Sequence, residues 1–180
     1  MRNLLLLSIF LLILIGCSTQ TFNNEDVIAV FNGEEIKAQD VLKVNSLEKN
    51  YIINYLKDEI IVYEAQELGI KITDAEIEEY KRTVFPSYDL METHEFLETI
   101  GYTEFVEQQA TKLGITEKEY FETWFHERYK RSAYREKYLE QKFGEPNVDE
   151  FDEWAEKVAE HTNTLFNDYQ ANEKLIILFN

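Results

Sequence analysis

Val27-Ile28-Ala29-Val30-Phe31-Asn32-Gly33-Glu34-Glu35-Ile36 is the stretch whose reading decides the fold. An alternating segment, Val27 to Phe31, is broken by Asn32-Gly33 and resumes at Glu34-Glu35-Ile36. Both turn residues tolerate positive φ, so the segment predicts a tight β-hairpin. Past Ile36 the hydrophobic period changes. Val44, Leu47, Tyr51, Tyr55 and Leu56 recur at three- and four-residue steps, which predicts one long helix over roughly 38–68. Its end is marked by Glu64-Ala65-Gln66-Glu67-Leu68-Gly69-Ile70, where Gly69 occupies the position after a helix that favours a left-handed residue. Thr73-Asp74-Ala75-Glu76 has the spacing of a capping box and starts a further helix through Ile77 and Tyr80.

Downstream the punctuation continues. Phe85-Pro86-Ser87 breaks the pattern, because the residue before proline avoids the helical region. Asp89-Leu90-Met91-Glu92 restarts a helix by capping-box spacing, with Phe96, Leu97 and Ile100 on its apolar side and Gly101 at its end. Thr103 opens a short helix that Leu113-Gly114 closes. Thr116-Glu117-Lys118-Glu119 then opens the most aromatic helix, from Glu117 to about Lys142, and Gly144-Glu145-Pro146 stops it. The last helix is expected over Asp149 to Tyr169, with Phe151, Trp154, Ala155, Val158, Leu165 and Phe166 as its buried side. Leu175-Ile176-Ile177-Leu178-Phe179 is too short for a packed helix. A strand paired with the Val27–Ile36 hairpin accounts for it, since an isolated hairpin is marginal and a third strand completes it. The fold class is therefore mainly α-helical, a multi-helix domain over 27–180 with a small β-hairpin or three-stranded sheet.

Upstream, residues 1–16 have the form of a secretory signal: Arg2, then an almost unbroken apolar run from Leu4 to Ile15. The run is shorter than the roughly 20 residues of a membrane span. Leu14-Ile15-Gly16-Cys17 resembles a bacterial lipobox, which implies cleavage before Cys17 and acylation of it. Cys17 is the only cysteine, so no thiol is left for disulfides or thiolate chemistry. The implied location is outside the cytoplasm, anchored to the cell membrane by lipid. Residues 17–26 read as a polar tether that keeps the domain close to its membrane, Ser18 to Asp26 reaching at most ~30 Å when extended.

The 180-residue chain carries 35 acidic against 18 basic residues, a net charge of −17. That balance opposes contact with nucleic-acid phosphates and anionic headgroups, so membrane attachment is expected to be covalent and nucleic acid is no partner. Reactive constellations are missing from the sequence. His94, His126 and His161 are the only histidines; His126-Glu127 fails the zinc-protease pattern because Lys130 stands where the second histidine belongs. No histidine has a glutamate three residues before it, as a di-iron bundle requires. Glu122 and His126 share a helix face as a surface pair. Acidic segments such as 149–156 lack the spaced ligands and central glycine of a calcium loop. Neither a phosphate-cradling glycine loop nor Gly-x-Ser-x-Gly occurs. The expectation is a protein without catalytic residues, metal or cofactor.

Taken in order, Val-x-Ala-Val-x-Asn-Gly-Glu-x-Ile, a long helix, Glu-Ala-x-x-Leu-Gly-Ile and Thr-Asp-x-Glu-Ile resemble the N-terminal chaperone domain of the SurA/PrsA type, most closely from Val27 to Tyr80. In that family the C-terminal segment returns to complete the N-terminal domain, which agrees with the strand expected at Leu175. The family also carries glycine-rich parvulin isomerase domains. Here the only space for one, 147–180, has no glycine and is too short. The resemblance thus implies a chaperone or folding factor that binds unfolded exported polypeptides without isomerising them. Two other readings stay open: an interaction subunit with one fixed partner, and a diverged prolyl isomerase. Aromatics supply the candidate binding surface. Tyr120, Trp124, Tyr134 and Tyr138 are expected to line a groove and to be more exposed than Phe121, Phe125 and Phe143, with Met91 as an adaptable contact. The competing reading is that neighbouring helices on two sides make most of these aromatics core.

Overall fold

The computed structural model describes residues 22–179. The expected signal segment, the expected lipidation site Cys17 and residues 17–21 of the expected tether lie outside the described residues. The remainder of that tether belongs to the domain. Phe22 packs edge-on against Phe179 at 6.1 Å. The Asn24 side chain donates to the Lys112 carbonyl at 2.9 Å, and the Ala38 and Gln39 amides donate to Asp26 and Asn24.

Strands β1 (Val27–Phe31) and β2 (Glu34–Lys37) form the hairpin. Asn32 and Gly33 both take positive φ, 49° and 87°, as a two-residue turn that matches strand twist requires. Strand β3 (Leu175–Ile177) lies antiparallel on the other side of β1, pairing Phe31 with Leu175 and Ala29 with Ile177. The sheet order is β2-β1-β3, so the chain's end supplies the third strand. Ile28 and Ala29 are fully buried in the central strand.

The helix expected over 38–68 is two helices, α1 (Ala38–Leu42) and α2 (Lys49–Glu67). A tertiary contact explains the break. An unbroken helix would give the Leu42 carbonyl to the amide of Ser46, but the Tyr120 hydroxyl donates to that carbonyl instead, at 2.9 Å. Asn45 and Ser46, which favour turns over helix interiors, carry the chain around, and Val44 enters the core.

Helix α3 (Asp74–Val84) begins at the Thr73 box, with both reciprocal bonds present: Thr73 Oγ1 accepts from the Glu76 amide and Glu76 accepts from the Thr73 amide. The helix expected to restart at Asp89 starts four residues later, as α4 (Thr93–Ile100); Tyr88–Leu90 is a 3-10 turn. The Asp89 carboxylate faces Arg82 at 3.3 Å rather than capping an amide. Helices α5 (Thr103–Leu113), α6 (Glu117–Phe143) and α7 (Phe151–Ala171) follow. A 3-10 turn at Val148–Glu150 precedes α7, and Phe151, expected in the core, is 53% exposed.

Helix α6 is the axis of the domain, touching α2, α3, α5 and α7. Its N-terminal half, Tyr120 to Tyr129, enters the main core with the sheet, α2, α4 and α5. Its C-terminal half, Tyr134 to Leu139, packs with Ile61, Ala65 and Val158 in a second cluster. A helix with neighbours on several sides buries a wide arc of its surface. Its aromatic spread is therefore a packing requirement.

Candidate functional site

The aromatic side chains expected to be exposed are not. Tyr120 and Tyr138 are 0% accessible, Trp124 3% and Tyr134 7%, no more than Phe125 at 3% and Phe121 at 7%. Tyr138 hydrogen-bonds His161 Nε2 at 2.8 Å inside the second cluster. Met91 is half-buried against the main core. As directly accessible contacts the four α6 residues are corrected to core, and the physical reason is the ring of helices around α6.

One of them, Trp124, nonetheless forms part of the wall of a cleft of about 1540 Å³. Residues 22–25 bound this cleft together with the α1–α2 turn, the start of α2, the length of α5 and one turn of α6. The break that Tyr120 imposes at Leu42 thus creates one of its sides. Tyr51, at the start of α2, is 46% exposed and lines the cleft. Tyr102, just before α5, and Phe105 within it pack against the Trp124 ring at 5.3 and 6.1 Å. Arg128, one turn along α6, stands over that ring at 5.5 Å.

Two of the residues along the cleft each bury a polar atom, Gln109 Oε1 and Trp124 Nε1, out of reach of solvent and without a hydrogen-bond partner among the described residues. Gln109 is 1% exposed. Leaving such a buried group unmade costs about 1–3 kcal/mol. Charge in the cleft is balanced, with Glu25, Glu48 and Glu104 against Lys49, Lys112 and Arg128. The ion pairs of the described residues leave those last three cations without a carboxylate. Most other cations of the domain have one, Lys37 with Glu25 and Lys137 with Glu76 among them.

A smaller cavity of about 290 Å³ lies by Phe31, Glu59 and Arg131. Arg131 donates to Tyr55 at 3.1 Å, pairs with Glu59 and stacks over the Tyr55 ring at 4.4 Å. Burial pushes the Tyr55 hydroxyl up. Burial also raises the Asp58 carboxyl, against the opposing pull of Arg135 at 2.9 Å. Two residues of α2 and two of α6 thereby form a charged brace between the helices, a structural role.

Sequence reasoning singled out Trp124 but missed Gln109, Tyr102 and Arg128, and it read Tyr51 only as part of a helical period. Gln109 left a signal: it sits on the stripe set by Tyr102, Phe105 and Val106, at a position otherwise apolar. Among the described residues no cluster of three His, Cys, Asp or Glu side chains could hold a metal ion. His94 pairs with Glu98 at 3.2 Å and His126 lies 3.9 Å from Asp74. No helix of the described residues is long and apolar enough to cross a membrane. Compared with protein-family models, curated protein sequences and solved structures, the chain finds no match in any of the three.

Proposed function

We propose that this protein is a lipid-anchored chaperone or folding factor that holds unfolded exported polypeptides outside the cytoplasm and does not isomerise them. The observation that carries the reading is the open cleft beside Trp124. It combines aromatic rings and balanced charge in a domain that is otherwise strongly acidic. Rings of Tyr and Trp offer apolar area with a polar tip, which suits surfaces that meet varied sequences. The resemblance of the 27–80 stretch to SurA/PrsA-type chaperone domains points the same way, and the signal-like 1–16 segment with Cys17 supports a location at a membrane.

The test is photo-crosslinking in native membranes, with a benzoyl-bearing phenylalanine in place of the exposed Tyr51. Many unrelated exported proteins should crosslink, and the purified domain should suppress aggregation of several reduced, alkylated proteins. A single stoichiometric crosslinked band would replace the chaperone with a dedicated interaction subunit. Acceleration of a proline isomerisation assay would restore the isomerase reading.

A further inference from the structure

We infer that the free edge of β3 takes an extended, apolar segment of the bound polypeptide as a fourth strand of the sheet; this rests on the reading of the protein as one that holds unfolded polypeptides. The register decides which main-chain groups face that edge. The Leu178 amide donates to the Ile28 carbonyl and the Asn32 amide to the Lys174 carbonyl, with Val30 opposite Ile176 between them. Residues 174, 176 and 178 therefore direct their hydrogen bonds to β1. Alternation along an antiparallel strand then turns the N–H and C=O groups of Leu175 and Ile177 the other way, out of the sheet. Among the described residues no strand lies beyond β3, and no turn or loop bond reaches those groups.

The two edges of the sheet differ. An edge strand is a template for pairing with another chain, and charged side chains blunt it. Strand β2 carries Glu34, Glu35 and Lys37. Leu175 to Phe179 carries neither charge nor proline. Ile176 and Leu178 share one face of that run and are 45% and 51% exposed, so an added strand finds apolar side chains to pack on. The surroundings of the edge point to its occupant. Phe179 lines the cleft and packs on Phe22, which lines it too. An extended chain laid along β3 thus continues into the cleft, and edge and cleft form one track. A second copy of this chain would bring a further net charge of −17 to the contact, which opposes it. Strand addition draws its affinity from N–H and C=O groups, which any unfolded chain supplies, while Ile176 and Leu178 favour apolar segments.

Ile177→Pro tests the inference, because the Ile177 N–H faces the free edge and donates nothing to β1. The substitution removes that donor and keeps the ladder to β1, at the kind of edge position where strands tolerate proline. Ile177→Ala truncates the same half-buried side chain and keeps the N–H. The probe is a capped, uncharged hexapeptide of alternating valine and threonine, titrated against the full chain in detergent. Its affinity should fall about tenfold for Ile177→Pro, the scale of losing one hydrogen bond, and stay within about twofold for Ile177→Ala. A second measurement does not depend on the folding of the proline variant. In the parent, the peptide should slow hydrogen exchange of the Leu175 and Ile177 amides and leave those of Ile176 and Leu178, already bonded to β1, unchanged. Equal affinity of the two variants, unslowed exchange at Leu175 and Ile177, or no binding of the hexapeptide where a reduced, alkylated protein does bind would each overturn strand addition. A parent that dimerises in sedimentation while Ile177→Pro stays monomeric would assign the edge to a second copy and overturn it too. Each of those results leaves the chaperone reading standing as long as the unfolded protein binds. Failure of the unfolded protein to bind at all would remove both.

Discussion

Tyr120→Phe isolates the contact that shapes both the fold and the cleft. The substitution removes one oxygen and keeps the ring, which is fully buried and packs edge-on against Phe105 at 6.1 Å. The lost hydroxyl donates to the carbonyl of Leu42, itself 1% exposed, at 2.9 Å. No other partner for that carbonyl occurs among the described hydrogen bonds, so the variant leaves a buried acceptor unmade. A neutral hydrogen bond contributes about 0.5–1.5 kcal/mol net, and a buried group left unsatisfied costs about 1–3 kcal/mol. The two figures describe one event and do not add; about 2 kcal/mol is expected. For a chain of this size that corresponds to a fall in Tm of roughly 4–8 °C. Differential scanning calorimetry reads the shift, and urea unfolding with an unchanged slope confirms that stability alone has changed. Tyr134→Phe is the control. Its residue is also buried, but its hydroxyl bonds no protein group among the described residues. The control should stay within about 0.5 kcal/mol of the parent. Equal melting of Tyr120→Phe and the parent, or an equal loss in both variants, would refute the account of the α1–α2 break.

Four further outcomes are expected. Leu175→Ala, at a residue 2% exposed on β3, should cost about 2–5 kcal/mol, whereas Ile176→Ala, 45% exposed, should cost far less by the same denaturant titration. Thr73→Ala and Thr116→Ala each delete a capping box and should each lower stability by about 0.5–2 kcal/mol in thermal melts. Bonds from Lys137 first and Thr73 next hold the Glu76 carboxyl at about 2, below its ordinary 4.5; its contribution is complete above pH 4.5 and is lost as pH falls towards 2. Urea midpoints across that window should therefore drop less steeply for Glu76→Gln than for the parent. Cys17→Ser should leave an unprocessed or released protein in cell fractionation, and normal processing with membrane retention would end the lipoprotein reading.

Local chemistry in the sequence was enough for the hairpin, the helix starts at Thr73 and Thr116, and the helix ends at Gly69, Gly101 and Gly114. Asn-Gly, capping boxes and post-helical glycines act within a few residues, and each is where the sequence puts it. The pairing of β3 with β1 was also legible, because a short apolar run needs a partner and the hairpin lacked one. Two failures share one cause. Asp89 was read as a helix cap by spacing, yet its carboxylate is drawn to Arg82. The 38–68 segment has unbroken helical period, yet the Tyr120 hydroxyl, 78 positions away, takes the carbonyl on which continuation depends. Local pattern carries no information about so distant a competitor. The same limit applies to the site. Composition showed an aromatic surplus on α6, but exposure depends on how many helices surround it, and tertiary packing put neighbours on several sides. Packing also decided that Gln109 and Trp124 would be buried without partners on the wall of one cleft, since a side chain's hydrogen-bond partner is a property of what folds against it and not of its own sequence.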